Sequence, residues 1–425
     1  MPTTRDQPTA ADVDLPEVSL QTRVADIGRK LADRVARLIS AVPGQPSGPV
    51  HLARAIGIDK VLASRVLRAA GSRDPVAVLQ QMPGPDPLRR LAVAAGKKGV
   101  ATQLVTDVQA AIDLFDDLIK SEAGDRSALD AILASWLPEA RAEFELRRKQ
   151  AAFRALSQLR GQMARTFLSA AFMHPSPDGE HIDIVWIVGL LGLQRLRPGT
   201  TVKFATRRGS ASGGTPRMPQ TLDGQSVEGL DGLRLDEFSS QPPPKLEVRR
   251  VGEVVHYLLA DEAFGPRSAA DLVFAEVNRG EIARYVAAGS RRKRYVFAEV
   301  TSPAELLVFD AIVHESLLAG AAAVAPGGSV DPTLYIYDTT FEGVANVNDR
   351  ARDIDRLDLV EQIQPLGRGI DSFRTAEAPW YPELLRMVCE KLGWKDADLR
   401  GYRARIDYPL YGSQVAIAFP AEEKS

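Results

Sequence analysis

Cysteine is nearly absent from this sequence, because only Cys389 occurs among its 425 residues. A single thiol excludes an internal disulfide framework and any structural zinc site that needs several cysteines. The chain is therefore expected in a reducing, cytoplasmic compartment. Cys389 falls on the apolar side of a predicted helix, so we expect it to pack in a core rather than to act as a nucleophile.

Long apolar runs are also absent. The longest, at residues 182–193, is about a dozen residues long and contains Asp183, whereas a membrane-spanning helix needs about 20 apolar residues. Buried strands are expected there instead. Residues 1–20 lack the basic start and apolar run of a secretory signal, and their composition predicts a disordered tail.

Recognisable catalytic motifs are missing as well. The sequence contains no G-x-S-x-G motif, no P-loop, no Rossmann glycine fingerprint and no H-E-x-x-H. Its formal net charge is -2, so no positive field of the whole molecule attracts nucleic acid or an anionic membrane. Any basic surface must be local, and no cofactor is expected.

The chain is long enough for several domains, and 45% of its residues are hydrophobic. Changes in hydrophobic period predict a multidomain α+β protein. Residues 21–99 form an all-helical domain, residues 100–173 a helical connector, and residues 174–425 a mixed α+β domain for effector sensing or assembly. Within this last region, alternating segments predict strands, and helices are expected at residues 280–288, 303–318 and 381–392.

The connector is also a predicted dimerisation segment. Residues 147–173 contain six basic and no acidic residues. Apolar residues at helical spacing form a stripe that needs a partner helix: Ala152, Leu156, Leu159, Met163 and Phe167. Residues 20–42, 100–118 and 152–167 are the candidate dimer interfaces, and the alternative is that these helices pack on one another.

The most informative stretch is LARAIGIDKVLASRVLR, at residues 52–68. Pro49 suits a first helical position, so a helix is predicted from there to Ile56. Gly57 ends this helix, and Asp59 is a plausible N-cap for a second one that runs to Ala70. Two helices that cross at a tight turn require a small residue at the crossing, where Ala53 stands. The pattern therefore predicts a helix-turn-helix.

The two faces of this unit differ in polarity. The inward positions are apolar: Leu52, Ile56, Ile58, Ala63 and Val66. The outward positions of the second helix are Lys60, Val61, Ser64, Arg65 and Arg68, and three of these five residues are cations. An outward cationic helix is suited to the major groove of DNA and its phosphates.

These residues resemble the helix-turn-helix of bacterial repressors and activators, closest in pattern to the LacI family headpiece. The matching places are occupied by Gly57, Ile58, Asp59, Ser64, Arg65 and Val66. The resemblance implies that Lys60, Val61, Ser64 and Arg65 contact bases or phosphates. It covers about 20 residues and implies a module only, since no sugar-binding α/β domain follows.

Local charge favours the same interpretation. Nine basic and three acidic residues lie between residues 50 and 99, a balance of +6 in a chain of net charge -2. The predicted partner is double-stranded DNA, and a homodimer is expected because one recognition helix reads only a few base pairs. The predicted interface consists of Arg54, Asp59 as the cap, Lys60, Val61, Ser64, Arg65 and Arg68. In the alternative interpretation, the helices pack in the ordinary way and their basic residues only contact solvent.

Two other function classes remain open. The N-terminal helices of a scaffold protein would bind another protein instead of DNA. A metal-assisted enzyme would centre on Asp310 and His314, which lie four residues apart on a predicted helix with Glu315 beside them. Glu276 and Glu299 would join that site. We expect a regulator that is not an enzyme.

Overall fold

The computed structural model describes residues 19–208, 220–227, 229–251, 254–260, 263–322, 331–340 and 343–424. Residues 1–18 of the predicted tail lie outside these ranges. The chain divides into two compact units, Met1–Phe144 and Glu145–Ser425, here called the first and the second unit. The first unit is helical and the second contains the strands, so the predicted multidomain α+β fold is confirmed.

The first unit consists of consecutive helices. They are α1 (Leu20–Ser40), α2 (Pro49–Ile56), α3 (Lys60–Ala70), α4 (Pro75–Gln81), α5 (Pro85–Lys97), α6 (Thr102–Leu118) and α7 (Arg126–Ser135), with a π-helical turn at Ile119–Ala123. Side-chain caps define several helix starts, because the oxygen atoms of Ser19, Asp59, Asp74 and Asp125 accept hydrogen bonds from first-turn amides. Helix α8 (Pro138–Arg160) then continues into the second unit.

One apolar core holds the first unit together. Helix α1 contributes Val24, Leu31 and Leu38 to it, and α6 contributes Ile112 and Phe115. These side chains are at most 1% exposed. The apolar stripes of two candidate dimer segments are therefore buried within the unit, as in the alternative that the helices pack on one another.

The second unit contains strands and two further helices. The strands are β1 (Gln162–Pro175), β2 (His181–Arg195), β3 (Val202–Arg208), β4 (Leu246–Val251), β5 (Val254–Leu259), β6 (Ala270–Ala283), β7 (Tyr285–Val286), β8 (Lys293–Glu299), β9 (Ala304–His314), β10 (Thr333–Asp338), β11 (Ile363–Arg368), β12 (Leu399–Asp407), β13 (Ser413–Pro420) and β14 (Glu422–Glu423). The helices are α9 (Glu315–Ala322) and α10 (Tyr381–Leu392).

The largest sheet of this unit has six strands in the order β11-β12-β9-β1-β2-β6. Its central β1 and β9 pair in parallel, and its other neighbours pair antiparallel. Three smaller sheets have the orders β10-β13-β8, β3-β5-β4 and β14-β7. Alternate residues of β1 point to opposite cores: Phe172 packs in the core that contains α10, and Phe167 in the core that contains strands of the smaller sheets. Both faces of the large sheet are therefore covered.

The helix predicted for residues 147–173 is wrong after residue 160. Helix α8 ends at Gly161, whose φ of +68° is the left-handed conformation that glycine adopts easily, and β1 follows. Because β1 is buried on both faces, it is apolar without alternation, and periodicity alone does not separate such a strand from a buried helix. The predicted stripe thus spans a helix and a strand, and its Leu159 is 73% exposed.

Two other helix predictions in the second unit need correction. Residues 304–314 form strand β9, and only the short α9 follows. Residues 280–288 contain the end of β6, where Ile282 pairs with Ile182, and the short β7. Pairing with neighbouring strands here outweighs local helix propensity. The helix predicted for residues 381–392 is confirmed as α10, in which Cys389 is buried and has its pKa raised to about 12 by burial.

In the parts of the chain that the structure describes, no helix combines the length and the apolar character needed to cross a membrane.

Candidate nucleic-acid interface

Helices α2 and α3 have the predicted bounds and are joined by the predicted tight turn. Helix α2 starts with Pro49 and ends at Gly57, which has φ +75° and ψ +40°. The amides of Gly57 and Ile58 both donate to the carbonyl oxygen of Ala53, at 2.9 and 3.1 Å. A left-handed residue at this place reverses the chain within three residues, so α3 can begin at Lys60.

Asp59 determines where α3 begins. Its Oδ1 accepts a hydrogen bond from the amide of Leu62 at 2.7 Å, which satisfies one of the free amides of the first turn. The predicted role of Asp59 as the cap is therefore confirmed. Its carboxylate forms no ion pair with any residue in the described ranges.

Loss of this cap should weaken the first unit measurably. We expect Asp59→Ala to lower the free energy of unfolding by about 1 kcal/mol, because the Leu62 amide loses its acceptor. Asp59→Asn keeps an acceptor oxygen and should lower it by much less. Chemical denaturation of both variants and the wild type, followed by circular dichroism at 222 nm, checks this order. Equal losses for Ala and Asn would show that the side-chain oxygen does not act as a cap.

The inner and outer faces of α3 match the predicted pattern. Leu62, Ala63 and Val66 are buried in the core of the first unit. The outward side chains are all exposed: Lys60, Val61, Ser64, Arg65 and Arg68. On α2, Arg54 is exposed too, while Ala53 is partly buried at the place predicted for the crossing. All the residues predicted to contact DNA are therefore accessible on the surface of the first unit taken alone.

Ion pairs divide the basic residues of the first unit into two groups. Every basic residue of α1 lies within 4.0 Å of a carboxylate, and so do Lys120 and Arg126. Of the nine basic residues between residues 50 and 99, Arg89 is paired. The other eight form no ion pair with any described residue: Arg54, Lys60, Arg65, Arg68, Arg73, Arg90, Lys97 and Lys98. The unpaired cations are thus concentrated around α2, α3 and α5.

The acidic residues of the same region are already engaged. Asp59 and Asp74 cap α3 and α4, and Asp86 pairs with Arg89 at 3.3 Å. Side chains that serve as caps are held at their own helix ends and do not reach cations on other faces. The positive charge of the region therefore stays unneutralised at its surface.

Arg65 is also close to another cation. Burial lowers the pKa of Arg126, and the charge of Arg65 lowers it further. Arg126 is held by Asp130 at 2.8 Å and donates to the carbonyl oxygens of Leu79 and Gln80. An anion bound next to Arg65 would relieve the repulsion between these two arginines.

A groove between α2 and α5 adds basic residues that were not predicted to belong to the interface. Its lining includes Gly57 at the turn and, on α5 and its C-cap, Arg90, Val93, Lys97 and Lys98. Arg90, Val93 and Lys97 are spaced at i, i+3 and i+7, so they share one helix face. The sequence shows this spacing. The contact between α5 and α2 was not predicted, so the three residues were not assigned to the interface.

Asp310 and His314 do not form the catalytic helix that the enzyme hypothesis requires. Asp310 is fully buried in strand β9. Its two oxygens accept hydrogen bonds from Arg403, at 2.7 and 2.8 Å, and from the hydroxyl of Tyr381 at 2.9 Å. The carboxylate therefore has no surface that a substrate reaches. His314 is partly buried and its Nδ1 is hydrogen-bonded to Ser316.

The two glutamates proposed to join this site lie elsewhere. Glu276 is in β6, which is separated from β9 by the two strands β1 and β2, and Glu299 is in β8 of a smaller sheet. Neighbours of Glu276 in β6, at residues 275 and 277, belong to the core that contains α10, so Glu276 faces the opposite core. Within the described ranges, no three His, Cys, Asp or Glu side chains come together as a metal site.

One cavity of the second unit has mainly apolar walls. It lies between β2, β3 and β6 and is lined by Trp186, Val188, Phe204 and Phe274, with Glu276 at one side. Such a lining is typical of small-molecule sites.

Comparisons with known proteins add no relative: no family model matches this chain, and no curated protein and no solved structure matches it significantly.

Proposed function

We propose that this protein is a cytoplasmic, sequence-specific DNA-binding regulator of transcription that acts as a homodimer. One observation carries the proposal: eight of the nine basic residues between residues 50 and 99 have no ion pair among the described residues, while the basic residues of α1 are all paired. Because exposed ion pairs contribute little to stability, fold stability does not explain why the basic residues of α1 are paired and those between residues 50 and 99 are not. This distribution leaves a positive surface where a helix-turn-helix meets phosphates.

The outward face of α3 has the chemistry for reading bases. Arg65 and Lys60 are donors of the kind that pair with guanine edges, and Ser64 donates to or accepts from several bases. Val61 is 69% exposed, an uncommon place for a large apolar side chain, and suits the methyl group of thymine. Arg54 and Arg68 would bind the phosphates on either side.

We expect a dimer, because a single α3 reads only a few base pairs. Two copies on a two-fold axis would bind half-sites about one helical turn apart. The second unit would provide assembly or effector sensing, and its apolar cavity is the place where an effector of matching polarity would bind. Light scattering of the free protein, and the half-site spacing in a bound DNA, test the dimer.

DNA binding is tested by selecting bound duplexes from genomic fragments and measuring their affinity at several salt concentrations. We expect a salt-dependent affinity, and a loss of about 1–3 kcal/mol for Arg65→Ala on the selected site, with relaxed preference at one base pair. Arg37→Ala removes the same charge from a paired residue of α1 and is the control. Equal retention by wild type and Arg65→Ala, or an affinity independent of salt, would defeat the proposal.

The scaffold hypothesis predicts a different result from the same variants. If α3 binds a protein, Arg65→Ala releases that protein and has no effect on duplex DNA. The exposed Val61 would then be the centre of a protein contact. The three lysines among the unpaired cations, Lys60, Lys97 and Lys98, favour DNA over this alternative, because protein interfaces are depleted in lysine.

A further inference from the structure

The groove between α2 and α5 presents three cations to one side of the helix-turn-helix. Arg90 and Lys97 lie on one face of α5, and Lys98 is the residue that caps the helix C-terminus. All three are exposed. The groove reaches Gly57, so it adjoins the turn that orients α3.

Helix electrostatics explain only part of this arrangement. Cations in the last turn of a helix are stabilised by the negative end of its dipole, which accounts for Lys97 and Lys98. That effect falls off within one turn, so it does not reach Arg90, two turns earlier. Arg90 therefore points to another reason for a positive groove.

The fourth basic residue of the groove shows the contrast. Arg89 donates to Asp116 at 2.7 Å, to Asp113 at 3.0 Å and to Asp86 at 3.3 Å. The hydrogen bonds from Arg89 and Lys120 lower the pKa of Asp116. Asp113 and Asp116 belong to α6, so Arg89 fastens α5 to α6. The charge of Arg89 is neutralised by ion pairs within the first unit, whereas Arg90, Lys97 and Lys98 form no ion pair with any described residue.

We infer that the groove lined by Gly57, Arg90, Val93, Lys97 and Lys98 is a second DNA site, which binds the phosphate backbone of the duplex next to the base pairs read by α3. No carboxylate lines the groove within the described ranges, and the three carboxylates nearest to Arg89 are paired with that arginine. Lysine and arginine bind phosphates as point charges and donors. The inference rests on the proposed function, because it needs a duplex already placed by α3.

Such a site strengthens binding without adding sequence preference. Phosphate contacts fix the position and orientation of a protein on the duplex, and base contacts specify the sequence. The three cations are attached to α5 and its C-cap, and Arg89 holds α5 against α6. They would add affinity to every duplex by about the same factor.

The test compares wild type with the triple variant Arg90→Ala, Lys97→Ala, Lys98→Ala. Affinity is measured from 50 to 300 mM salt, on the selected site and on an unrelated duplex of equal length. Each phosphate contact adds about 0.9 to the magnitude of the negative slope of log affinity against log salt. The slope of the triple variant should therefore be less steep than that of the wild type by about 2–3. The ratio of specific to non-specific affinity should stay as in the wild type.

The matched control is the triple variant Arg29→Ala, Lys30→Ala, Arg37→Ala, which removes three charges from α1, where all three are paired. Its slope should remain close to that of the wild type. An equal fall in both triples would overturn the inference, because net charge alone would then explain it. An unchanged slope in the α5 triple would overturn it too. If the wild type binds no duplex, the proposed function itself fails.

A second measurement uses the unmodified protein and does not depend on the folding of variants. Acetylation of lysines with and without a saturating amount of the selected duplex, read by mass spectrometry, reports which amines DNA covers. Lys97 and Lys98 should lose reactivity at least several-fold, whereas Lys30 on α1 should keep it. Full reactivity of Lys97 and Lys98 in a complex that protects Lys60 would exclude the groove as a DNA site and leave α3 as the contact.

Discussion

Asp310→Ala is expected to destabilise the second unit by about 3–5 kcal/mol, enough to unfold it in mild denaturant. The carboxylate is fully buried and Arg403 is almost so, with a side chain 7% exposed. Without Asp310, the guanidinium of Arg403 keeps its buried position but loses its counter-ion. The hydroxyl of Tyr381 loses its acceptor at the same time. An uncompensated buried charge is among the most destabilising changes that one substitution can make.

The location of the pair increases this effect. Asp310 is in β9, and Arg403 is opposite it in β12, so the pair joins two strands of the large sheet. Arg403 also donates to the carbonyl oxygens of Phe373 and Arg374, which precede α10. Loss of the pair therefore disturbs both the sheet and the segment that leads to its covering helix.

Guanidinium denaturation followed by tryptophan fluorescence measures the loss, because three of the four tryptophans, Trp186, Trp380 and Trp394, are in the second unit. The double variant Asp310→Leu, Arg403→Met removes both charges and should lose much less stability than Asp310→Ala, since no buried charge remains. If the double variant is as unstable as the single one, packing rather than charge explains the result. If Asp310→Ala unfolds like the wild type, the buried pair has no structural role.

The contrast between the two units shows which features a sequence makes visible. The bounds of α2, the helix end at Gly57, the cap Asp59 and the end of α3 at Ala70 were all predicted, and the structure confirms them. Each depends on a local signal: proline at a first position, glycine after a last position, and a short acceptor side chain before a helix. Exposure of the predicted interface residues follows from the same helical period.

Features that depend on distant parts of the chain were not visible. Strands β1 and β9 are buried on both faces, so their composition does not alternate, and the predicted helices there are wrong. The pairing of Asp310 with Arg403 joins residues 93 positions apart. The role of Arg90 in a groove required knowledge that α5 packs on α2, which no pattern within either helix indicates.

The contact between α1 and α4 is a further feature that only the fold reveals, and it leads to a strong prediction for Gly28. This residue is buried in α1, and a Cβ atom added to it would lie 2.1 Å from the carbonyl oxygen of Pro75. Backbone atoms at this distance have no rotamer to change. The two helices would have to move apart.

Gly28→Ala is therefore expected to destabilise the first unit by about 1–3 kcal/mol or more, as over-packing in a tight core does. Helix propensity alone predicts the opposite change in the free energy of unfolding, because alanine in place of glycine within a helix normally stabilises it by up to about 1 kcal/mol. Helix α4 also contacts α3, so separation of α1 from α4 alters the packing beneath α3. Hydrogen exchange should show lost protection in both α1 and α4.

The matched control is Gly96→Ala in α5, where the added Cβ would lie 3.4 Å from a methyl group of Val105, an ordinary contact. This variant should be as stable as the wild type or slightly more so. Opposite signs for the two glycines would show that the approach of the α4 backbone, and not the flexibility of glycine, accounts for Gly28. If both substitutions stabilise the protein, α1 and α4 tolerate separation, and the position of α3 does not depend on their close contact.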